Sequence, residues 1–197
     1  MNYFKKVDWQ SSNEDYWKTA SEDIQYKIWN EKNIMYIAFQ CSMTKKDFNI
    51  AFDLFTKDKY GMKVHRGFYN AFNKAKNVII ADIISCVMLY NIDKAVIVGY
   101  SEGGVYASLL HQELKYANVL NISVETYTYG CCNYLLFPNK NILKRFEGVT
   151  NIVSKNDIVT MFPIAYRRGG KDITLINDTI IPSTFQHLQE YYKRSLI

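Results

Sequence analysis

The chain has 197 residues, 48% of them hydrophobic and 22% charged, which are the proportions of one ordinary globular domain with a sizeable core. Its net charge of +5 is spread along the sequence, so it offers no run of five or six like charges as an arm for nucleic acid. No stretch of 18 apolar residues is present to cross a membrane. Cys41, Cys86, Cys131 and Cys132 lack the C-x-x-C spacing of zinc and redox motifs, and no metal or other cofactor is expected. The opening Met1-Asn2-Tyr3-Phe4-Lys5-Lys6 does not read as a signal peptide. Together with the cysteines it suggests a reducing cytoplasm, whether the gene is cellular or carried by a virus or phage. With no repeats, no linker-like tracts and three prolines, all in the second half, residues 1–197 are expected to form one domain. The 16 tyrosines and 11 phenylalanines predict an aromatic core and cleft.

Taken in chain order, Ile24 to Trp29 and Ile34 to Phe39 read as a hairpin around the turn-prone Asn30-Glu31-Lys32-Asn33. Apolar residues at helical spacing predict a long helix from Phe68 to Tyr90. Ala95-Val96-Ile97-Val98 is a short continuous apolar run, which suits a strand covered on both faces of a parallel sheet. Gly99 to Gly104 turns the chain into a helix from Val105 to Tyr116. Val119 to Tyr129 is β-branched and aromatic and predicts another strand. A short helix is expected at Asn141 to Phe146, a strand at Asn151 to Ser154, and an exposed strand at Asp172 to Ile176. A closing helix is expected from Thr184 to Leu196, with Ser183 as its N-cap after Pro182. Strands alternating with helices predict an α/β fold with a mostly parallel sheet flanked by helices. In such sheets functional groups gather beyond the carboxyl ends of the strands.

Gly99-Tyr100-Ser101-Glu102-Gly103-Gly104 lies at that place, between a buried strand and a helix. G-x-S-x-G holds a serine on a strained turn that lifts its hydroxyl out of the sheet. Small residues two before and two after it relieve crowding. The helix start behind it favours developing negative charge, and the backbone N–H of Glu102 would form one half of an oxyanion hole.

A serine nucleophile needs a base, and the base needs a carboxylate to hold its tautomer. On this kind of elbow the order along the chain is Ser, then Asp or Glu, then His. Of the three histidines, His65 precedes the serine, and His111 is ten residues into the following helix, about 15 Å down its axis. His187 remains as the base. Between Ser101 and His187, Glu113 points off a helix, Glu125 lies within a strand, and Glu147 is near a short helix end. Asp157 directly follows the strand Asn151 to Ser154 and is the candidate acid, with Asp178 in the late loop as the alternative.

Several ordered segments together resemble the fungal-type, class 3 lipases. Val64-His65-Arg66-Gly67-Phe68-Tyr69-Asn70-Ala71-Phe72 is similar to the family's V-H-x-G-F-x-x-A-F, and Val98 to Gly104 to its G-H-S-L-G-G elbow. Thr128-Tyr129-Gly130 stands where the family has T-F-G, and Ile152 to Val159 resembles the strand leading to its acid, with Phe162-Pro163 close behind. His187, followed by Tyr191 and Tyr192, resembles its closing histidine segment. The resemblance runs from about Ile34 to Tyr192. It implies an α/β-hydrolase fold with Ser101, Asp157 and His187 as the triad, and a structural role for His65. It also implies Ser42 as the second oxyanion donor, in Gln40-Cys41-Ser42 where the family writes R-G-S or R-G-T.

Tyr100 and Glu102 stand where the family commonly has His and Leu, so the Glu102 carboxylate is expected to point away from the oxyanion. The stretch between Asp53 and His65, compared with the family's lid, is short and poor in apolar residues, which implies a minimal lid or none. The resemblance therefore implies a serine carboxylic-ester hydrolase acting on a small ester or lipid, and the net charge of +5 adds an expected weak attraction to an anionic membrane surface. A phospholipase, acyltransferase or thioesterase on the same fold, or an inactive scaffold used for binding, are the alternatives.

Overall fold

The computed structural model describes residues 3–9, 11, 16–40, 55–116, 120–176 and 192. In chain order the elements are β1 (Lys18–Ser21), β2 (Ile24–Glu31), β3 (Ile34–Phe39), β4 (Thr56–Lys59), β5 (Met62–His65), helix α1 (Arg66–Leu89), β6 (Lys94–Tyr100) and α2 (Glu102–Tyr116). They continue with β7 (Ser123–Tyr129), β8 (Leu135–Leu136), α3 (Lys140–Lys144), β9 (Val149–Ser154), β10 (Tyr166–Arg167) and β11 (Lys171–Leu175). Two 3-10 turns, Tyr3–Lys6 and Ile158–Met161, complete the described elements.

Seven strands form the main sheet in the order β1-β2-β3-β6-β7-β9-β11. The β1–β2 and β2–β3 pairs are antiparallel, and every pair from β3 onward is parallel. Parallel neighbours need crossovers, which α1 supplies between β3 and β6 and α2 between β6 and β7. The register aligns the carboxyl ends: Phe39 pairs with Gly99, Tyr100 with Tyr129, and Tyr129 with Ile152. Turns and active groups that follow β3, β6, β7 and β9 therefore emerge at one edge.

The strand side chains explain why the central strands read as continuous apolar runs. Met35, Ile37 and Phe39 of β3, with Ala95 and Ile97 of β6, face α1 and α2 in one buried cluster. Tyr36 and Ala38, with Val96, Val98 and Tyr100, face the other way into a second cluster built around Phe4, Trp9 and Tyr192. Period-two alternation thus buries both faces. The α1 stripe Phe68, Ala71, Phe72, Ala75, Ile79 and Ile83 is the helical counterpart. Each large side chain so buried contributes about 2 kcal/mol at most.

The structure adds two features to the sequence-based picture. β4 and β5 form a hairpin, paired on through β8 to β10 as a separate four-stranded antiparallel sheet in the order β10-β8-β5-β4. Residues 55–65, compared above with a lid, are thus largely sheet. The N-terminal segment also packs inward, with Phe4 and Trp9 fully buried. Apart from β1, an edge strand beside β2 that was not expected, the other elements appear where expected, shifted by a few residues: α2 begins at Glu102, and α1 at Arg66. Tyr192 is helical, and the remainder of the expected closing helix lies outside the described residues. No described helix is long and apolar enough to cross a membrane.

Candidate active site

Ser101 stands between β6 and α2 with φ at +55°, in the left-handed region that L residues avoid. The turn is pinned by two backbone bonds: Ser101 N–H donates to the Tyr129 carbonyl at 2.8 Å, and Gly104 N–H donates to the Ser101 carbonyl at 3.0 Å. The glycines around it have steric reasons. A Cβ on Gly99 would collide with the Gly103 carbonyl. One on Gly103 would stand 2.5 Å from the Phe39 carbonyl oxygen and 2.7 Å from that of Gln40. One on Gly104 would stand 2.8 Å from the Cys131 Cβ. The elbow therefore packs backbone against backbone, with the carboxyl end of β3 beside the start of α2.

Glu102 opens α2, so its N–H is among those that a helix start leaves to bind an anion. Its carboxylate is 8% exposed and accepts the Tyr106 hydroxyl one turn along the helix. The acidic side chain is thus turned along α2, toward Tyr106.

Asp157 follows β9, two strands away from β6 on the same edge, about 10 Å across the sheet. It has no solvent exposure. One carboxylate oxygen, Oδ1, accepts from Val159 N–H at 3.0 Å and caps the Ile158–Met161 turn. The other, Oδ2, accepts from the Tyr192 hydroxyl at 2.8 Å. The loop that carries it is clasped by Thr160, whose hydroxyl donates to the Asp157 carbonyl at 2.7 Å. Arg168 extends the clasp, donating to the carbonyls of Thr160 and Cys131 and forming an ion pair with Asp172 at 2.8 Å. Asn151 of β9, fully buried, joins the Gly169 carbonyl and Asp172 on one side to Thr128 of β7 on the other.

The remaining described acids in this stretch are engaged elsewhere. Glu113 pairs with Lys59, Glu125 with Lys94, and Asp172 with Arg168. Glu147 lies in the turn before β9, at the amino end of that strand. Asp178, His187 and Ser42 lie outside the described residues. Of the other histidines, His65 ends β5, fully buried between the rings of Phe68 and Tyr166. His111 is buried on α2 between the Thr126 hydroxyl at 3.0 Å and the Glu147 carbonyl at 3.2 Å, and burial depresses its pKa to about 4. His111 stands ten residues along α2 from Ser101, about 15 Å down its axis.

Among the described residues, the buried thiols beside the elbow are poor nucleophiles. Burial pushes Cys131 up to about 12 and raises Cys132 well above the usual thiol range. Among the described residues, no group of three or more His, Cys, Asp or Glu side chains is placed to hold a metal ion. The sequence reasoning missed Tyr192, Arg168, Thr160 and Asn151 as supports of the acid. Only Tyr192 carried a signal, its place just after His187.

Residues 34–167 match the family model described as lipase (class 3). Among solved structures, the triacylglyceride lipase of Rhizomucor miehei superposes with a TM-score of 0.74 at 17% identity, over 91% of this chain and 83% of that one. A triacylglycerol lipase described as having a serine protease triad as its catalytic centre superposes at 0.71 with 19% identity, over 88% and 77%. The lipase of Rhizopus microsporus var. chinensis does so at 0.66 with 20% identity, over 77% and 57%. At these identities the likenesses establish the α/β-hydrolase fold. No curated protein matches the chain by sequence.

Proposed function

The chain belongs to the class 3 lipases, whose family model spans its residues 34–167, and on that premise we propose that it cleaves carboxylic esters through Ser101, Asp157 and His187. The observation that carries the reading is the strained Ser101 on its elbow, level with a buried Asp157 on the same edge of the sheet. The other described acids of that stretch are paired elsewhere or lie away from that edge, which leaves Asp157 to serve a base. Tyr192, five residues beyond His187, bonds to Asp157, which supports a base arriving from that part of the chain.

In the proposed reaction the Ser101 hydroxyl attacks the ester carbonyl as His187 takes its proton. Asp157 holds the imidazole tautomer and stabilises the imidazolium. The N–H of Glu102, aided by Ser42, bears the oxyanion of the tetrahedral intermediate. The close approach of Gly103 to Phe39 and Gln40 supports Ser42 in this role, because the chain leaves β3 beside the elbow. His187 then protonates the departing alcohol, and water activated by the same imidazole cleaves the acyl-enzyme. The hairpin at residues 56–65 supports a preference for soluble esters of short or medium chain, without a rate jump at a lipid interface.

Labelling with a fluorophosphonate probe tests the reading. The wild type should label and Ser101→Ala should not; labelling that survives Ser101→Ala, or a wild type that does not label, would overturn it. A nitrophenyl-ester series then tests chain length, with a steep rate increase at micelle formation counting against the expected preference.

A further inference from the structure

The bonds at Asp157 Oδ1 and Oδ2 differ in kind. The Val159 N–H is local, two residues along, and belongs to the turn. The Tyr192 hydroxyl comes from 35 residues away. That same hydroxyl oxygen accepts the backbone N–H of Ser154, the last residue of β9, at 3.1 Å. A phenol has a single proton to give. With an N–H aimed at its oxygen, its own proton is directed to the carboxylate. Ser154, Tyr192 and Asp157 thus form an oriented series from N–H through O–H to carboxylate, in which each bond polarises the next.

The ring that carries this hydroxyl has no room to turn away. Tyr192 is fully buried, edge-on to Tyr100 with centroids 6.1 Å apart and 6.2 Å from the ring of Phe4. Tyr100 is the residue immediately before the nucleophile. Burial and the neighbouring Asp157 charge drive the Tyr192 phenol far above its usual range, so it remains a donor at every working pH. Each carboxylate oxygen offers two lone pairs, so bonds from Val159 and Tyr192 leave capacity for an imidazole N–H.

We propose that Tyr192 is a positioning residue for the acid: its hydroxyl fixes the Asp157 carboxylate and ties the chain that carries His187 to the end of β9. The inference rests on the Ser101–Asp157–His187 reading. Removing the hydroxyl frees the carboxylate to swing and takes away a donor that shares its charge. The first effect slows the reaction. The second strengthens its hold on the imidazolium, so the base titrates at higher pH.

The test is kcat/KM against pH on a soluble nitrophenyl ester for wild type, Tyr192→Phe and the packing control Phe4→Leu, at temperatures where circular dichroism shows each folded. Tyr192→Phe should lose about ten- to a hundred-fold in kcat/KM, mostly in kcat, with the acid limb displaced upward by about half a unit. Phe4→Leu loosens the same cluster and should lower the unfolding midpoint with the acid limb in place. Should Tyr192→Phe fail to fold, 3-fluorotyrosine placed at position 192 keeps the hydroxyl and makes it a stronger donor, and the limb should move downward. Activity lost without movement of the limb in either variant at position 192, or a Tyr192→Phe enzyme indistinguishable from wild type, would overturn the role of Tyr192. A wild type that fails to label at Ser101 would overturn the hydrolase reading itself, which separates the two failures.

Discussion

Gly103 lies so close to Phe39 that a methyl group on it would stand 2.5 Å from the Phe39 carbonyl oxygen. The obstacle is backbone on a central strand, which cannot rotate aside as a side chain can. Gly103→Ala must therefore push α2 off the end of β3 and with it the N–H of Glu102. We expect a loss of about 3 kcal/mol in urea unfolding, and of ester hydrolysis beyond what the unfolded fraction explains. A Gly103→Ala protein of native stability and activity would refute this packing.

Ser101 holds a left-handed φ of +55°, where a side chain costs about 1–2 kcal/mol relative to glycine. Ser101→Gly should unfold at higher denaturant concentration than wild type, by about 1 kcal/mol, while losing all fluorophosphonate labelling. Ser101→Ala should lose labelling too but gain less stability, because it keeps the Cβ. Equal stabilities for the two variants would show that the turn is not strained.

His111 is held neutral by burial, its pKa lowered from 6.5 to about 4, with the Lys115 charge adding to the effect. Unfolded chains take up a proton at this position below about pH 6.5, and the folded protein does so only near pH 4. Between those values the unfolded state binds more protons, so stability falls as pH is lowered through that window, by about 3 kcal/mol in all. Urea titrations at pH 7 and pH 4.5 should show the fall, and His111→Gln should flatten part of it. The same slope in both proteins would assign the acid sensitivity elsewhere.

Lys59 and Glu113 form an ion pair with side chains only 4% and 6% exposed, joining β4 to α2. Burial lowers the lysine pKa, and the Glu113 carboxylate opposes that shift. Lys59→Met alone strands a buried carboxylate and should cost about 3–5 kcal/mol, whereas Lys59→Met with Glu113→Leu should recover most of it. A double variant no more stable than the single one would mean that the pair is not the unit that matters here.

The sequence by itself determined the elements whose periodicity is local, and the elbow that holds Ser101. Val96 to Gly104 could be read as buried strand, tight turn and helix because the apolar run and the crowding of Gly99 against Gly103 and Gly104 lie within a few residues of chain, whereas what crowds Gly103 and Gly104 themselves, Phe39 and Cys131, lies elsewhere in the sequence. Asp157 was legible for a similar reason: it directly follows an apolar strand, and parallel strands send their active groups to one end. The stripe from Phe68 to Ile83 announced α1 in the same way.

Only the tertiary structure decided what surrounds those groups. Thr56–Lys59 and Met62–His65 pair with each other as a hairpin, but Met62–His65 also pairs with Leu135–Leu136, which in turn pairs with Tyr166–Arg167; these lie far along the chain, and no local pattern records such a pairing. Tyr192 could be named from its place after His187, but that its hydroxyl faces Asp157 follows from how the chain end packs against Phe4 and Tyr100. Arg168 and Asn151 gave no signal at all, because a hydrogen bond to a distant carbonyl leaves no mark on residue spacing, and the bond from Thr160 to the Asp157 carbonyl three residues back gave none either, since it depends on the turn that Asp157 caps. Local sterics are written in neighbouring residues; the support of a buried carboxylate is assembled from segments that meet only once the sheet has closed.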